Sequence, residues 1–93
     1  MEFEHERFGK CILADITQKL FEDYSQELLD KSDVTVIQYR GLSVKAAIKL
    51  GILIEPEMTP EDVDNASPGM IRWLSDICIA KHIQEANSVD PLS

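Results

Sequence analysis

The sequence predicts a mainly α-helical single domain, built from two long antiparallel helices, two short helices and at most a minimal β ribbon near residues 34–39. Three observations support this fold class. Apolar residues recur at helical spacing from about residue 8 to about residue 29, two helix-start signals follow each other in the last third of the chain, and only residues 34–39 have the composition of a strand. Ninety-three residues suffice for one domain, 1–93, with its own core.

The first predicted helix runs from Phe8 to about Leu29. Its apolar side chains share one arc of a helical wheel, and acidic and polar side chains take the other arc. The arc consists of Leu13, Ile16, Leu20, Phe21, Tyr24 and Leu28. Residues 1–6 before this helix, and residues 89–93 at the other terminus, are expected to be loosely ordered tails.

Residues 34–39 are rich in β-branched and aromatic side chains, which favours extended structure. A second strand signal of similar strength does not follow, since the apolar run 52–54 is short. The segment is therefore an extended connector, half of a short ribbon with 52–54, or a strand completed by another chain; we favour the first two. Ser43 is then expected to N-cap a short helix, Val44 to Leu50, that Gly51 ends.

The last third of the chain contains the two helix starts. Thr59-Pro60-Glu61-Asp62 combines a capping threonine, a proline at the first helical position and an acid three residues on, so it predicts a short helix that ends near Asn65. Ser67-Pro68 repeats the signal and opens a last helix, which runs to about Ala86. This helix is expected to pack antiparallel on the first one.

The last helix carries apolar residues on two sides. Its core face is predicted to consist of Met70, Ile71, Trp73, Leu74, Ile77 and Cys78. Ile79, Ile83 and Ala86 lie roughly opposite the centre of that face. Each large apolar side chain left in water forgoes roughly 1.5 to 3 kcal/mol of burial energy. We therefore expect this second side to be buried against another segment or another chain.

Two ways of burying the ridge of Ile79, Ile83 and Ala86 remain open. The N-terminal segment around Phe3 and Phe8, or the loop 52–58, can cover it within one chain. Alternatively, the ridge binds a partner helix or a second copy. We predict the second arrangement, with a partner-binding surface that consists of Ile79, Ile83 and Ala86, flanked by Arg72 and Asp76.

The formal net charge of −8 disfavours direct binding to nucleic acid and to anionic membranes, because both are negative. The expected partner is another protein or a second copy of the chain, without a small-molecule substrate. The charge is unevenly distributed, since residues 34–51 contain three bases and no acid. These bases, Arg40, Lys45 and Lys49, are predicted to form a secondary contact.

Two acidic clusters support an alternative function. Glu2, Glu4 and Glu6 form one, and Glu55, Glu57, Glu61, Asp62 and Asp64 form the other. If the fold brought them together, the chain could imitate a phosphate backbone and block a nucleic-acid enzyme of the host. Charge runs more often only keep a surface solvated.

The sequence selects no catalytic, cofactor-binding or metal-binding residues, and we predict that the chain is not an enzyme. Cys11 and Cys78 lie among apolar residues and are expected to be buried, reduced thiols. His82 is four residues from Cys78 and could complete a zinc set with His5 and Cys11, but structural zinc ligands are usually closer in sequence. The N-terminus is acidic, unlike a signal peptide, so a cytoplasmic location is expected.

Residues scattered from 36 to 91 resemble small accessory proteins of tailed bacteriophages, some of which are tail assembly chaperones. The resemblance is carried by Val36, Leu42-Ser43-Val44, Gly51-Ile52-Leu53, Ser67-Pro68, Trp73-Leu74, Ile77, His82-Ile83, Ala86 and Pro91. It implies a non-enzymatic helical protein that binds a virion component during assembly in the host cytoplasm, and it transfers no catalytic residue. The acidic segment 55–64 departs from the pattern.

Overall fold

The computed structural model describes residues 1–30 and 33–86, apart from the side chains of residues 85 and 86. The described elements are, in order, β1 (Glu2–His5), β2 (Gly9–Leu13), α1 (Gln18–Leu29), α2 (Val36–Lys49), β3 (Leu53–Glu55), α3 (Pro60–Asn65) and α4 (Pro68–Ala86). The mainly helical class is confirmed, with a three-stranded antiparallel sheet in the order β1-β2-β3 added to it.

β1 and β2 form a hairpin where the sequence predicted a tail and the start of a helix. Burial in β2 alternates, because Cys11 and Leu13 are buried whereas Ile12 between them is only half-buried. This is the period of a strand with one face on the core. Phe3 pairs with Cys11 across the hairpin and packs against the same core. The prediction of a loosely ordered tail at residues 1–6 is therefore wrong for β1.

The first helix is shorter than predicted. α1 begins at Gln18 because Thr17 is its N-cap, whose side-chain oxygen accepts a hydrogen bond from the backbone N–H of Leu20 (3.2 Å). Residues 9–13 instead use their backbone groups in the sheet. The helix predicted over 8–29 is thus correct only in its second half, and Tyr24 is its fully buried member.

α2 replaces the connector and the short helix that the sequence predicted. Thr35 and Gln38 form a capping box, in which each side chain satisfies a backbone N–H of the other residue. The helix therefore starts at Val36, and the extended interpretation of 34–39 is wrong. Ser43 lies within the helix and caps nothing. It is fully buried, and its hydroxyl donates to the carbonyl oxygen of Arg40 (2.7 Å).

The predicted glycine after α2 and the predicted starts of the last two helices are confirmed. Gly51 follows Leu50, the C-cap of α2, with φ +74°, the conformation that a C′ glycine provides. Thr59 and Asp62 form the predicted capping box of α3, which ends at Asn65. The Ser67 hydroxyl accepts from the backbone N–H of Met70 (3.2 Å) at the start of α4.

The main helix pair is α2 with α4. Ile37 lies beside Pro68 near the start of both helices, and Ser43 shares a hydrogen bond with Ser75 (3.0 Å) further along, so the two helices run in the same direction. The predicted antiparallel packing of a long first helix on the last one is not confirmed. The core between helices and sheet contains Cys11, Leu13, Tyr24, Val44, Ala47, Ile52, Leu53, Val63, Ile71, Leu74 and Cys78.

Candidate protein-interaction surface

The predicted α4 surface faces away from the core. We call Arg72, Asp76, Ile79 and Ile83 the α4 strip. Ile83 is 53% exposed, Arg72 and Asp76 are exposed, and Ile79 is half-buried. The side chain of Ala86 lies outside the described part of the chain, as do residues 89–93. The expected core face is confirmed, because Ile71, Leu74 and Cys78 are buried on the other side of the helix.

The N-terminal hairpin covers a different side of α4. Phe3 lines a depression together with Trp73 and Ile77. The ring of Phe8 lies against Trp73, with 6.0 Å between centroids, and so close to Gly69 that an added Cβ would be 3.3 Å from it. These contacts leave Ile83 more than half exposed. The N-terminal segment, which the sequence offered as one way to bury the second side of the last helix, therefore does not bury Ile83.

The predicted basic group is divided by the fold. Lys45 forms an ion pair with Asp64 of α3 (2.8 Å), and Lys49 forms one with Glu27 of α1 (2.6 Å). The hydrogen bond and charge of Glu27 raise the pKa of Lys49. Both ammonium groups thus have acidic partners within the chain. Arg40, one turn before Lys45 on α2, forms no such ion pair with any described residue.

A groove between α2 and α4 was missed by sequence reasoning. We call it the α2–α4 groove; it is lined by Ile37, Arg40, Pro68, Gly69, Ile71 and Arg72. Ile37 is 79% exposed, and its neighbour Val36 is 68% exposed. A second depression on the other side of Ile37 reaches Leu42 and Val63. The signal that could have found this surface is the capping pair Thr35 and Gln38, which starts the helix at Val36.

The groove and the α4 strip are continuous. Arg72 belongs to both, because it lines the groove and also stands one turn before Asp76 on the exposed side of α4. An incoming chain could therefore contact Ile37 and Ile83 along one side of the molecule. The structure thus brings Arg40 and Arg72 to one groove, whereas Lys45 and Lys49 are paired with acids of the chain.

The thiols and the histidine considered for zinc lie apart from this surface. Burial raises the pKa of the Cys11 thiol to about 11 and that of Cys78 to about 12, and both cysteines are free. Nε2 of His82 and the Ser25 hydroxyl share a hydrogen bond (2.8 Å). Among the residues that the structure describes, three or more metal-ligating side chains do not come together anywhere.

The two acidic segments meet in the sheet. Ile12 in the central strand is paired with Glu2 on one side and with Glu55 on the other. Two strand spacings separate these acids, roughly 9 to 10 Å between backbones. Lys10 forms an ion pair with Glu2 and partly compensates its charge. The condition that the mimicry hypothesis requires is thus fulfilled for one acid of each cluster.

Over the described ranges, 1–30 and 33–86, the helices are too short or too polar to cross a membrane. The chain matches no protein-family model, no curated protein and no solved structure. The candidate function therefore rests on the geometry of the described side chains.

Proposed function

We propose that this chain is a protein-binding module without catalytic activity, which contacts its partner through the α2–α4 groove and the α4 strip. The observation that carries the proposal is the exposure of two adjacent large apolar residues on the first turn of α2, Val36 and Ile37. Single exposed apolar side chains are common, but a contiguous apolar area rimmed by polar residues is typical of a binding site.

A partner on this surface would bury apolar side chains that are exposed in the single chain. Ile37, Val36 and Ile83 each forgo roughly 1.5 to 3 kcal/mol while they stay in water. A helix laid along this side would contact Ile37 in the groove and Ile83 on the α4 strip, in the manner of a helix-in-groove complex. The partner is another protein or a second copy of the chain. The role in phage assembly, the origin of the chain and its cytoplasmic location remain predictions.

Position-specific photo-crosslinking tests the proposal. p-Benzoylphenylalanine is placed at position 37, 83 or 54 of the full chain, and cells that produce the protein are irradiated. Ile54 on β3 is the matched control, because it is 55% exposed but lies on the sheet. We expect one discrete crosslinked product, a partner or a dimer, from positions 37 and 83 and not from 54. Equal labelling from all three positions, or none, would contradict the proposed surface.

The isoleucines of the α4 strip are tested by substitution. The double variant Ile79→Asp, Ile83→Asp should lose the partner or the self-association of the wild type, because two charges would be buried unpaired in the contact. Size-exclusion chromatography with light scattering measures the mass, and circular dichroism checks the fold. Unchanged mass and unchanged partner capture in a folded variant would remove the α4 strip from the proposal.

The second candidate function is inhibition of a nucleic-acid enzyme by charge mimicry. It is favoured by the sheet register that places Glu2 and Glu55 on either side of Ile12. The triple variant Glu55→Gln, Glu57→Gln, Glu61→Gln should then lose binding to such an enzyme, and wild-type binding should weaken steeply with salt. Binding that does not depend on salt would exclude this function.

A further inference from the structure

The distribution of ion pairs distinguishes two of the bases that the structure describes from the rest. Four lysines, at positions 10, 19, 45 and 49, form ion pairs with acids of the chain, and the guanidinium of Arg7 lies over the Phe8 ring. Lys81 is buried. Arg40 and Arg72 form no ion pair or hydrogen bond through their guanidinium groups with any described residue. In a chain with 17 acidic residues, arginines without a carboxylate partner among the described residues are unexpected, and Arg40 and Arg72 differ from Arg7 in lacking an aromatic contact as well.

Both arginines line the α2–α4 groove. Arg40 comes from α2 and Arg72 from α4, and Ile37 and Ile71 supply the apolar lining between them. The groove also lies at the N-terminal ends of both helices, because α2 begins at Val36 and α4 at Pro68. Parallel helix dipoles add positive potential at such an end. The groove is therefore an apolar depression bordered by two arginines, on a protein whose net charge is −8.

We infer that the α2–α4 groove binds an acidic amphipathic segment of a partner protein, whose apolar side chains cover Ile37 and whose carboxylates pair with Arg40 and Arg72. The inference rests on the proposed function and adds the chemistry of the partner. A guanidinium group presents a planar set of donors that matches a carboxylate, and it retains its charge in a partly dehydrated contact. Apolar contact supplies the affinity, and the two arginines select the sign of the partner's charge.

Charge elsewhere on the molecule favours a protein over a membrane. An anionic bilayer presents a wide negative surface, which would meet the acidic side chains around the groove as well as the two arginines. A narrow segment with a few carboxylates can contact the groove alone. The acidic exterior then orients the segment, because every other approach is repelled.

Three synthetic helical peptides test the inference. They share one stripe of leucines at helical spacing, and their polar positions are all Glu, all Gln or all Lys. Nuclear magnetic resonance titration of the ¹⁵N-labelled full chain gives both the affinity and the location of binding. We expect the Glu peptide to bind about tenfold more tightly than the Gln peptide, with the largest shifts at residues 37, 40 and 72. The Lys peptide should bind more weakly than either.

Matched variants separate charge from apolar contact. Arg40→Gln with Arg72→Gln should weaken the Glu peptide about tenfold and reduce the effect of salt on its affinity. Lys10→Gln with Lys19→Gln removes the same charge elsewhere and should change the affinity by less than about twofold. Ile37→Ser should weaken the Glu and Gln peptides alike, because it removes apolar contact.

Several results would overturn the inference. These are equal affinities for the Glu and Gln peptides, full retention of affinity in the double arginine variant, or shifts centred outside the groove. Arginine-dependent sedimentation with phosphatidylserine vesicles, without peptide binding, would assign the groove to lipid. A concentration-dependent dimer that the double arginine variant abolishes would assign it to a second copy. If Ile37→Ser abolishes binding while the double arginine variant binds like the wild type, the charge selection fails and the proposed protein-binding function stands.

Discussion

His82 is the residue whose surroundings most clearly predict that stability depends on pH. Its ring stacks on Phe21, with 4.3 Å between centroids, and lies 4.9 Å from the ring of Tyr24. Nδ1 is buried and has no hydrogen-bond partner within the described part of the chain. A proton on Nδ1 would therefore place a positive charge at a buried nitrogen that has no hydrogen-bond partner among the described residues. Burial accordingly lowers the pKa of His82.

The lowered pKa predicts loss of stability in acid. The folded state binds the proton less well than the unfolded chain, so the contribution of neutral His82 is complete above the unfolded pKa of about 6.5. It declines as the pH falls below that value towards the lower pKa of the folded state. Urea unfolding at pH 7.5, 6.5 and 5.5 should show a steeper fall in the free energy of unfolding for wild type than for His82→Gln. Carboxylates contribute to both proteins alike, and identical slopes would contradict the role given to His82.

The two cysteines predict slow thiol chemistry. Both are buried, as the sequence indicated, and burial raises the pKa of Cys11 to about 11. Since only the thiolate reacts, an increase of two units over an ordinary thiol lowers the reactive fraction about a hundredfold at neutral pH. Modification by 5,5′-dithiobis(2-nitrobenzoic acid) should therefore be at least about a hundredfold slower in buffer than in guanidinium chloride. Rapid labelling of the folded protein would show that the core opens readily.

Glycines of α2 provide a matched pair at the scale of the element. Gly51 has φ +74° at the end of the helix, whereas Gly41 lies within it, and an added Cβ at Gly41 would meet nothing within 4 Å. Gly51→Ala should destabilise the protein by about 1 kcal/mol, because a side chain is strained in that conformation. Gly41→Ala should stabilise it by about 0.5 to 1 kcal/mol.

Chemical unfolding in urea measures both changes. The two substitutions add the same methyl group, one within α2 and one just after its C-cap, so a difference in sign reports the backbone conformation. If Gly51→Ala were neutral, the left-handed turn between α2 and β3 would not be under the constraint that its φ indicates. A destabilising Gly41→Ala would show that the middle of α2 has a close neighbour.

Helix starts that combine a capping residue with a proline could be predicted from the sequence, whereas α2 and the strands could not. The start of α3 and of α4 follows from a capping residue and a proline within a few positions, and the structure confirms both. β2 is a strand because it pairs with Leu53–Glu55, about forty residues away, and periodicity within 8–29 does not contain that information. α2 was missed because β-branched residues outweighed the Thr35 capping signal.

The proposed interaction surface was likewise predictable only in part. Spacing on α4 was enough to place Ile83 and Arg72 on the exposed side of the last helix. Pairing Arg40 with Arg72 requires the parallel packing of α2 on α4, which follows from the buried contact of Ser43 with Ser75. Sequence grouped Arg40 with Lys45 and Lys49 instead, because neighbours in a helix are visible along the chain and partners across helices are not.

At the scale of the whole molecule, net charge predicts how stability responds to salt. The chain contains seventeen acids and nine bases, and four surface ion pairs are found among the described residues. Exposed pairs contribute at most about 1 kcal/mol each, whereas the excess of eight negative charges repels itself throughout the folded state. Salt screens the repulsion and the pairs together, and we expect the repulsion to dominate.

The midpoint of thermal unfolding should therefore rise by about 2 to 6 °C as sodium chloride increases from low to moderate ionic strength. The triple variant Glu55→Gln, Glu57→Gln, Glu61→Gln reduces the excess from eight to five charges, since three acids are neutralised. It should begin from a higher midpoint in low salt and gain less from added salt. A midpoint that falls with salt in the wild type would mean that its ion pairs, among them Lys45–Asp64 and Lys49–Glu27, outweigh the repulsion between its acids.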